Sequence, residues 1–134
     1  MSRGAAHVTF VDRSACCLTA IAASVARLYP APPPAPPVAL HRMDALAAIR
    51  RLSRQGRRCD LIFLDPPYRG PWGKISLQGL ADHAILAPSG VVVIEYAQRW
   101  PVPPAVTGRG VAGSRDIRQF RMARYGETGV AFYQ

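Results

Sequence analysis

Asp65-Pro66-Pro67-Tyr68 is the segment whose residue types and spacing do chemistry together. Neither proline can donate a backbone hydrogen bond, so the segment is a stiff extended stretch whose carbonyls remain as acceptors. An aspartate and a carbonyl held close together can accept both hydrogens of an exocyclic amino group. That fixes the group and aims the nitrogen lone pair at an electrophile. Tyr68 offers a flat face on which a base taken out of its helix can stack. The plainer reading is a rigid turn with a surface tyrosine. Against it stands the apolar run Leu61-Ile62-Phe63-Leu64 directly upstream, because ligands of open α/β sheets bind beyond the carboxyl ends of the strands.

Two further carboxylates stand at similar places. Asp12 closes the β-branched run His7-Val8-Thr9-Phe10-Val11, and Asp44 follows Val38 to His41. Each can also serve only to cap what comes next. The elements that must position these groups are legible. His7 to Val11 and Asp60 to Leu64 read as buried strands. Ser14 is an N-cap for a helix to about Leu28, with Leu18, Ile21, Val25 and Leu28 on one stripe. Val38 to His41 is a short strand, and Asp44 caps a helix from about Ala45 to Gln55, whose end carries Arg50, Arg51 and Arg54 with Arg57 and Arg58 beyond. Ile75 to Leu86 reads as a helix, Pro88-Ser89-Gly90 as a turn, Val91 to Tyr96 as a third buried strand and 101–113 as loop. Ile117 to Tyr125 and Thr128 to Tyr133 form a hairpin around Gly126-Glu127. Alternating strands and helices predict an α/β fold with a mostly parallel sheet, in a single domain of residues 1–134.

Composition narrows the partners. Of 134 residues 17 are basic and 8 acidic, giving a net charge of +9 with 16 of the 17 cations arginine, so an anionic partner is expected, with RNA or DNA first. A high-GC genome also enriches arginine, alanine and proline. The residues 30–37 (PAPPPAPP) hold six of 13 prolines and read as a polyproline-II connector rather than an SH3-type ligand. Cys16, Cys17 and Cys59 form no CxxC pair, so neither a metal site nor a disulfide framework is expected, and a reducing cytoplasm is the simplest setting. No apolar run reaches the ~20 residues of a membrane span, and Asp12 and Arg13 spoil a signal-peptide reading of the start. Gly108-Arg109-Gly110-Val111-Ala112-Gly113 matches a dinucleotide fingerprint in letters only. It follows Pro103-Pro104 rather than a strand, which argues against a nucleotide-dependent oxidoreductase.

Asp65-Pro66-Pro67-Tyr68 resembles motif IV of the amino methyltransferases, which use S-adenosylmethionine and fold as class I, Rossmann-like domains. Ser2-Arg3-Gly4-Ala5, Val8 to Asp12, Asp44-Ala45, Leu86-Ala87-Pro88-Ser89-Gly90, Glu95, Arg124-Tyr125-Gly126-Glu127-Thr128 and Phe132-Tyr133 follow the order of the RsmD family, bacterial 16S ribosomal RNA guanine-N2 methyltransferases. The resemblance implies that Asp12 binds the cofactor ribose, that Arg13 lies beside the adenine, and that Asp44 with Ala45 contacts the adenine amine. It implies that Asp65, Pro66, Pro67 and Tyr68 hold the target guanine, with Asp65 bordering the cofactor. Arg50, Arg54, Arg57, Arg69 and Lys74 are candidate phosphate contacts on 16S rRNA or a small-subunit assembly particle. The same motif serves DNA adenine-N6 methyltransferases, and a non-catalytic RNA-binding remnant is a third reading. The short loop after Tyr68 and the C-terminal hairpin favour the first.

In the family the Ser-Arg-Gly-Ala segment closes the helix after the first strand. The chain is therefore expected to lack that strand, the Gly-rich motif I and the upstream RNA-contacting region. Such an incomplete fold is expected to be marginally stable and to bind the cofactor poorly, because the family places that strand between those ending at Asp12 and Leu64.

Overall fold

A computed structural model describes residues 4–29, 37–110 and 114–134. Ser2-Arg3 of the resemblance, residues 30–36 of the proline-rich stretch and residues 111–113 of the glycine pattern lie outside the described residues. The chain divides into two compact units, 1–48 and 49–134.

The first unit holds β1 (Val8–Asp12), α1 (Ala15–Leu28), β2 (Val38–Arg42) and the start of α2 (Ala45–Arg54). β1 and β2 pair in parallel from Val8↔Val38 to Asp12↔Arg42. Parallel neighbours need a crossover, which here contains α1. Ser14 caps α1 as expected, its Oγ accepting from the Cys17 N–H at 3.3 Å. Leu18 is buried and Ile21 and Val25 are half-buried, but Leu28, predicted on the same stripe, is exposed in the last turn. Beyond α2, Arg57 N–H meets Leu52 C=O and Gly56 N–H meets Ser53 C=O, both at 3.0 Å, with Gly56 at φ +67°. This is the Schellman arrangement, in which glycine takes the left-handed position without strain.

The second unit contains α3 (Trp72–Asp82) and a five-stranded sheet. Its strands are β3 (Cys59–Leu64), β4 (Leu86–Ala97), β5 (Ala105–Val106), β6 (Ile117–Tyr125) and β7 (Thr128–Tyr133). Their order is β3-β4-β7-β6-β5. Only β3 and β4 run parallel there, and the other three pairs are antiparallel. The expectation of a mostly parallel sheet is thus corrected to a mixed one. The two-residue connection at Gly126-Glu127 forces β6 and β7 antiparallel, and β7 then lies against β4.

Three element boundaries also differ. α3 begins at Trp72 and ends at Asp82, not Ile75 to Leu86. Leu86 is instead drawn into β4 by pairing with Cys59, so the strand runs through Pro88-Ser89-Gly90 with an irregularity where a turn was predicted. Gly90 is needed there, since a β-carbon would lie 2.9 Å from the Cys59 carbonyl oxygen. The stretch 101–113 contains the short β5, held against Ile117 and Arg118.

Registers define two faces of this sheet. Val92 pairs with Tyr133 and Ile94 with Ala131, and all four side chains are fully buried on one face. α3 lies on that side, since a β-carbon at Gly73 would sit 3.3 Å from Ile94 Cδ1, and its Leu77 and Leu80 complete the core. Tyr96 continues the same face opposite Gly129. The other face carries Leu61 and Phe63 on the edge strand β3, which are 52% and 73% exposed.

A β-carbon at Gly129 would overlap the Tyr96 ring. Gly129→Ala is therefore expected to destabilise the fold by about 1–3 kcal/mol, read as a lowered urea midpoint. Phe63→Lys should leave that midpoint within about 0.5 kcal/mol of wild type while lowering light scattering on concentration, since a charge on an exposed strand edge blocks edge pairing. An unchanged midpoint for Gly129→Ala would contradict this packing.

Candidate functional site

Each unit gathers acidic residues at the carboxyl ends of its parallel strands. In the first, Asp12 ends β1 and its Oδ1 accepts from the Ser14 N–H at 2.7 Å. Asp44 follows β2, and its Oδ1 accepts from the Leu46 N–H at 2.9 Å. Met43 N–H bonds the Asp12 carbonyl at 3.1 Å, so the two acidic corners and their neighbours Arg13 and Ala45 share one end of the β1–β2 pair. Arg13 is exposed, and its carbonyl accepts from Arg42 Nε at 3.3 Å. The capping and ligand-binding readings are compatible, because a carboxylate has two oxygens and each cap uses Oδ1.

In the second unit the chain leaves β3 at Leu64 and enters Asp65-Pro66-Pro67-Tyr68. Leu64 pairs with Ile94, so Glu95 of β4 lies at the level of Asp65. The Tyr68 hydroxyl donates to Glu95 Oε1 and lies 3.3 Å from Thr128 Oγ1 at the start of β7. Two strands thereby fix one phenol ring, which remains 41% exposed. Bonding to the Glu95 carboxylate holds the Tyr68 phenol above the ordinary tyrosine range, because ionising it would forfeit that donation. Partial loss of solvation, with the nearby Glu95 charge second, lifts the Asp65 carboxyl above the usual aspartate range. The result is a protonated, anchored tyrosine beside a carboxylate that gains by meeting a donor.

Glu95 and Thr128 were not among the candidate site residues, although both lie within segments that carry the resemblance. Glu95 has a readable signal, a lone acid near the carboxyl end of the apolar strand Val91-Val92-Val93-Ile94. Thr128 has none, since its contact spans 60 residues of sequence.

The cationic candidates occupy two segments. Arg50 and Arg54 are exposed one turn apart on α2, with Arg57 just beyond, and Arg69 and Lys74 are exposed on either side of the start of α3. Among the described residues the one ion pair is Arg109 Nε to Asp82 Oδ2 at 3.9 Å, so none of the five is neutralised by an acidic side chain. The Gly108 and Arg109 N–H groups bond Asp116 Oδ1 at 3.3 Å and Asp82 Oδ1 at 3.0 Å, and the next element is β6 rather than a helix. Among the described residues no His, Cys, Asp or Glu side chains group as a metal site, and no helix is long and apolar enough to cross a membrane.

Comparison with known proteins finds similar chains and folds. The "Putative rRNA methyltransferase YlbH" of Bacillus subtilis (strain 168) is 28% identical over 134 residues, covering 100% of this chain and 66% of its own length. The chain thus spans about two thirds of the curated relative it matches. A solved Streptococcus pyogenes protein, titled a conserved hypothetical protein, superposes with TM-score 0.77 at 23% identity, over 98% of this chain and 73% of its own. The "Putative methyltransferase yhhF from Escherichia coli" superposes with TM-score 0.76 at 19% identity, over 99% and 66%. At these identities the structures establish the fold, which is α/β and Rossmann-like, of the methyltransferase type. The family model described as Conserved hypothetical protein 95 matches residues 1–134, and the chain belongs to that family, the RsmD family.

Proposed function

We propose that this chain carries the amine-holding and nucleoside-binding parts of an S-adenosylmethionine-dependent methyltransferase acting on the N2 amine of a guanine in 16S ribosomal RNA. The observation that carries the reading is the Tyr68 ring, anchored through Glu95 and Thr128 beyond the end of a parallel strand and still 41% exposed. The family and the relative's name, an rRNA methyltransferase, support the substrate class.

The donor set fits the cofactor. Asp12 and Asp44 stand at one end of β1 and β2 with oxygens able to accept from ribose hydroxyls and from an adenine amine. When bound, S-adenosylmethionine supplies an electrophilic methyl group on a sulfonium sulfur. Asp65 and the proline carbonyls accept the two hydrogens of the guanine amine and orient its nitrogen lone pair. Tyr68 stacks on the base and holds it out of its helix. With the amine held so by Asp65 and the proline carbonyls, its nitrogen would be presented to that methyl group without further rearrangement of the chain. The methylated nitrogen then releases its extra proton to water. No protein base is needed, and positioning supplies the rate.

Methyl transfer from labelled S-adenosylmethionine should be measured on naked 16S rRNA, on small-subunit assembly particles and on adenine-containing DNA. Label in the RNA guanine, reduced at least ~100-fold by Asp65→Ala, is the expected result. Label in DNA adenine would transfer the reading to a DNA enzyme. Salt-dependent RNA binding with no transfer would leave only an RNA-binding protein.

Asp65 also gives a stability signature. Its carboxyl titrates higher in the folded than in the unfolded state, so folding favours the protonated form. Its stabilising contribution is complete at low pH and lost as pH rises through the folded value. Asp65→Asn should therefore melt above wild type at neutral pH. The gap should close as pH falls below about 3.9, the ordinary aspartate value. A lower melting temperature for Asp65→Asn at neutral pH would count against a desolvated carboxylate here.

A further inference from the structure

Both tryptophans of this chain stand half-exposed near the motif loop. Trp72 opens α3 and Trp100 sits in the turn after β4, at 47% and 48% exposure. Trp100 also borders a small recess, open to solvent, whose other walls include Pro66, Pro67, Tyr68, Tyr96 and Ala97. The backbone beneath it is fixed. Trp100 N–H bonds the Ala97 carbonyl at 2.8 Å, and Gln98 N–H bonds the Glu127 carbonyl of the hairpin turn at 2.9 Å. The Gln98 side chain bonds the Gly126 carbonyl as well. Gly73 of α3 also lines the recess, and a β-carbon there would crowd Val102 Cγ1 at 3.2 Å.

A half-exposed indole on a tied turn leaves apolar area in water and adds little to the core. A flat ligand would cover it. The recess presents two exposed aromatic rings, Tyr68 and Trp100, together with the two prolines of the motif. Arg99 next to Trp100, and Arg69 and Lys74 next to the motif, are exposed and unpaired by acids. Planar apolar walls with cations around them fit a base whose backbone carries phosphates, and they fit it only when unstacked.

We infer that Trp100 is a second stacking surface of the base-binding recess, facing an unpaired purine nucleotide of RNA that Tyr68 also contacts. This rests on the function proposed above and adds a residue and a substrate form to it. The target nucleotide must be single-stranded or looped out, because a base stacked within a helix has no face free for either ring.

The two tryptophans make the test residue-specific. In the Trp72→Phe variant of the 134-residue chain, Trp100 is the sole indole. Titration with a short guanine-containing single-stranded RNA should quench its emission, and the same RNA annealed to its complement should not. Trp100→Ala should weaken binding of the single strand by about 5- to 150-fold, with an unchanged melting temperature and an unchanged salt slope. Trp100→Phe should restore most of the affinity. Single-strand binding that leaves Trp100 emission and the Trp100→Ala affinity unaltered would overturn this inference while the proposed methyl transfer stands. Absence of both RNA binding and methyl transfer in the wild-type chain would overturn the inference and the proposed function together. Equal quenching by duplex would overturn the requirement for an unpaired base.

Discussion

Parallel pairing of β3 with β4 in the register Leu64↔Ile94 is the constraint on which the second unit's site depends. It sets Glu95 level with Asp65, the first residue to leave the sheet. Because the pair is parallel, both strands end on the same side, and the groups that follow β3 meet those that finish β4. A slip of β4 by one residue would carry Val92 and Ile94 out of the core and turn Glu95 toward Leu77, Leu80 and Tyr133, where an unpaired carboxylate is prohibitively costly. The apolar face thus specifies the register, and the register specifies the chemistry.

The remaining strands secure that pairing. β7 runs along β4 from Val92↔Tyr133 to Ala97↔Thr128, which brings Thr128 to the Tyr68 hydroxyl. Gly129 opposite Tyr96 leaves room for the ring to lie across the sheet, and Tyr96 in turn donates to Met122 Sδ at 3.0 Å on β6. The hairpin is therefore part of the site's foundation, although its residues carry no reactive group.

Local chemistry was readable where a few adjacent residues decide the outcome. Ser14 and Asp44 cap the helices they precede, the runs ending at Asp12 and Leu64 are strands, and Gly126 takes φ +59° at the hairpin turn. Readings failed where a distant partner decides. Pro88-Ser89-Gly90 has turn composition, yet pairing of Leu86 with Cys59 carries β4 through it. Trp72-Gly73 is a poor helix start by propensity, but the glycine lets α3 approach Ile94. β5 is two residues long and exists through its ladder with β6. Of the site, the motif and the strand-end acids were legible because their residue types are unusual after apolar strands. Trp100 was not, since no periodicity distinguishes an exposed indole on a turn.

The electrostatics of the motif divide the labour between its two oxygen-bearing side chains. Tyr68 donates to Glu95, and that bond raises the phenol's pKa, so the hydroxyl stays protonated and cannot act as a base at neutral pH. Asp65 has no such donor among the described residues, and partial loss of solvation, with the Glu95 charge second, raises its pKa as well. Under the proposed function, an amine bringing its two hydrogens to Asp65 would relieve this unfavourable ionisation, which would favour that group over a carbonyl oxygen. Strain of this kind is retained where binding, rather than folding, benefits from it, and it falls on a segment stiffened by two consecutive prolines, which gives little freedom to relax it away.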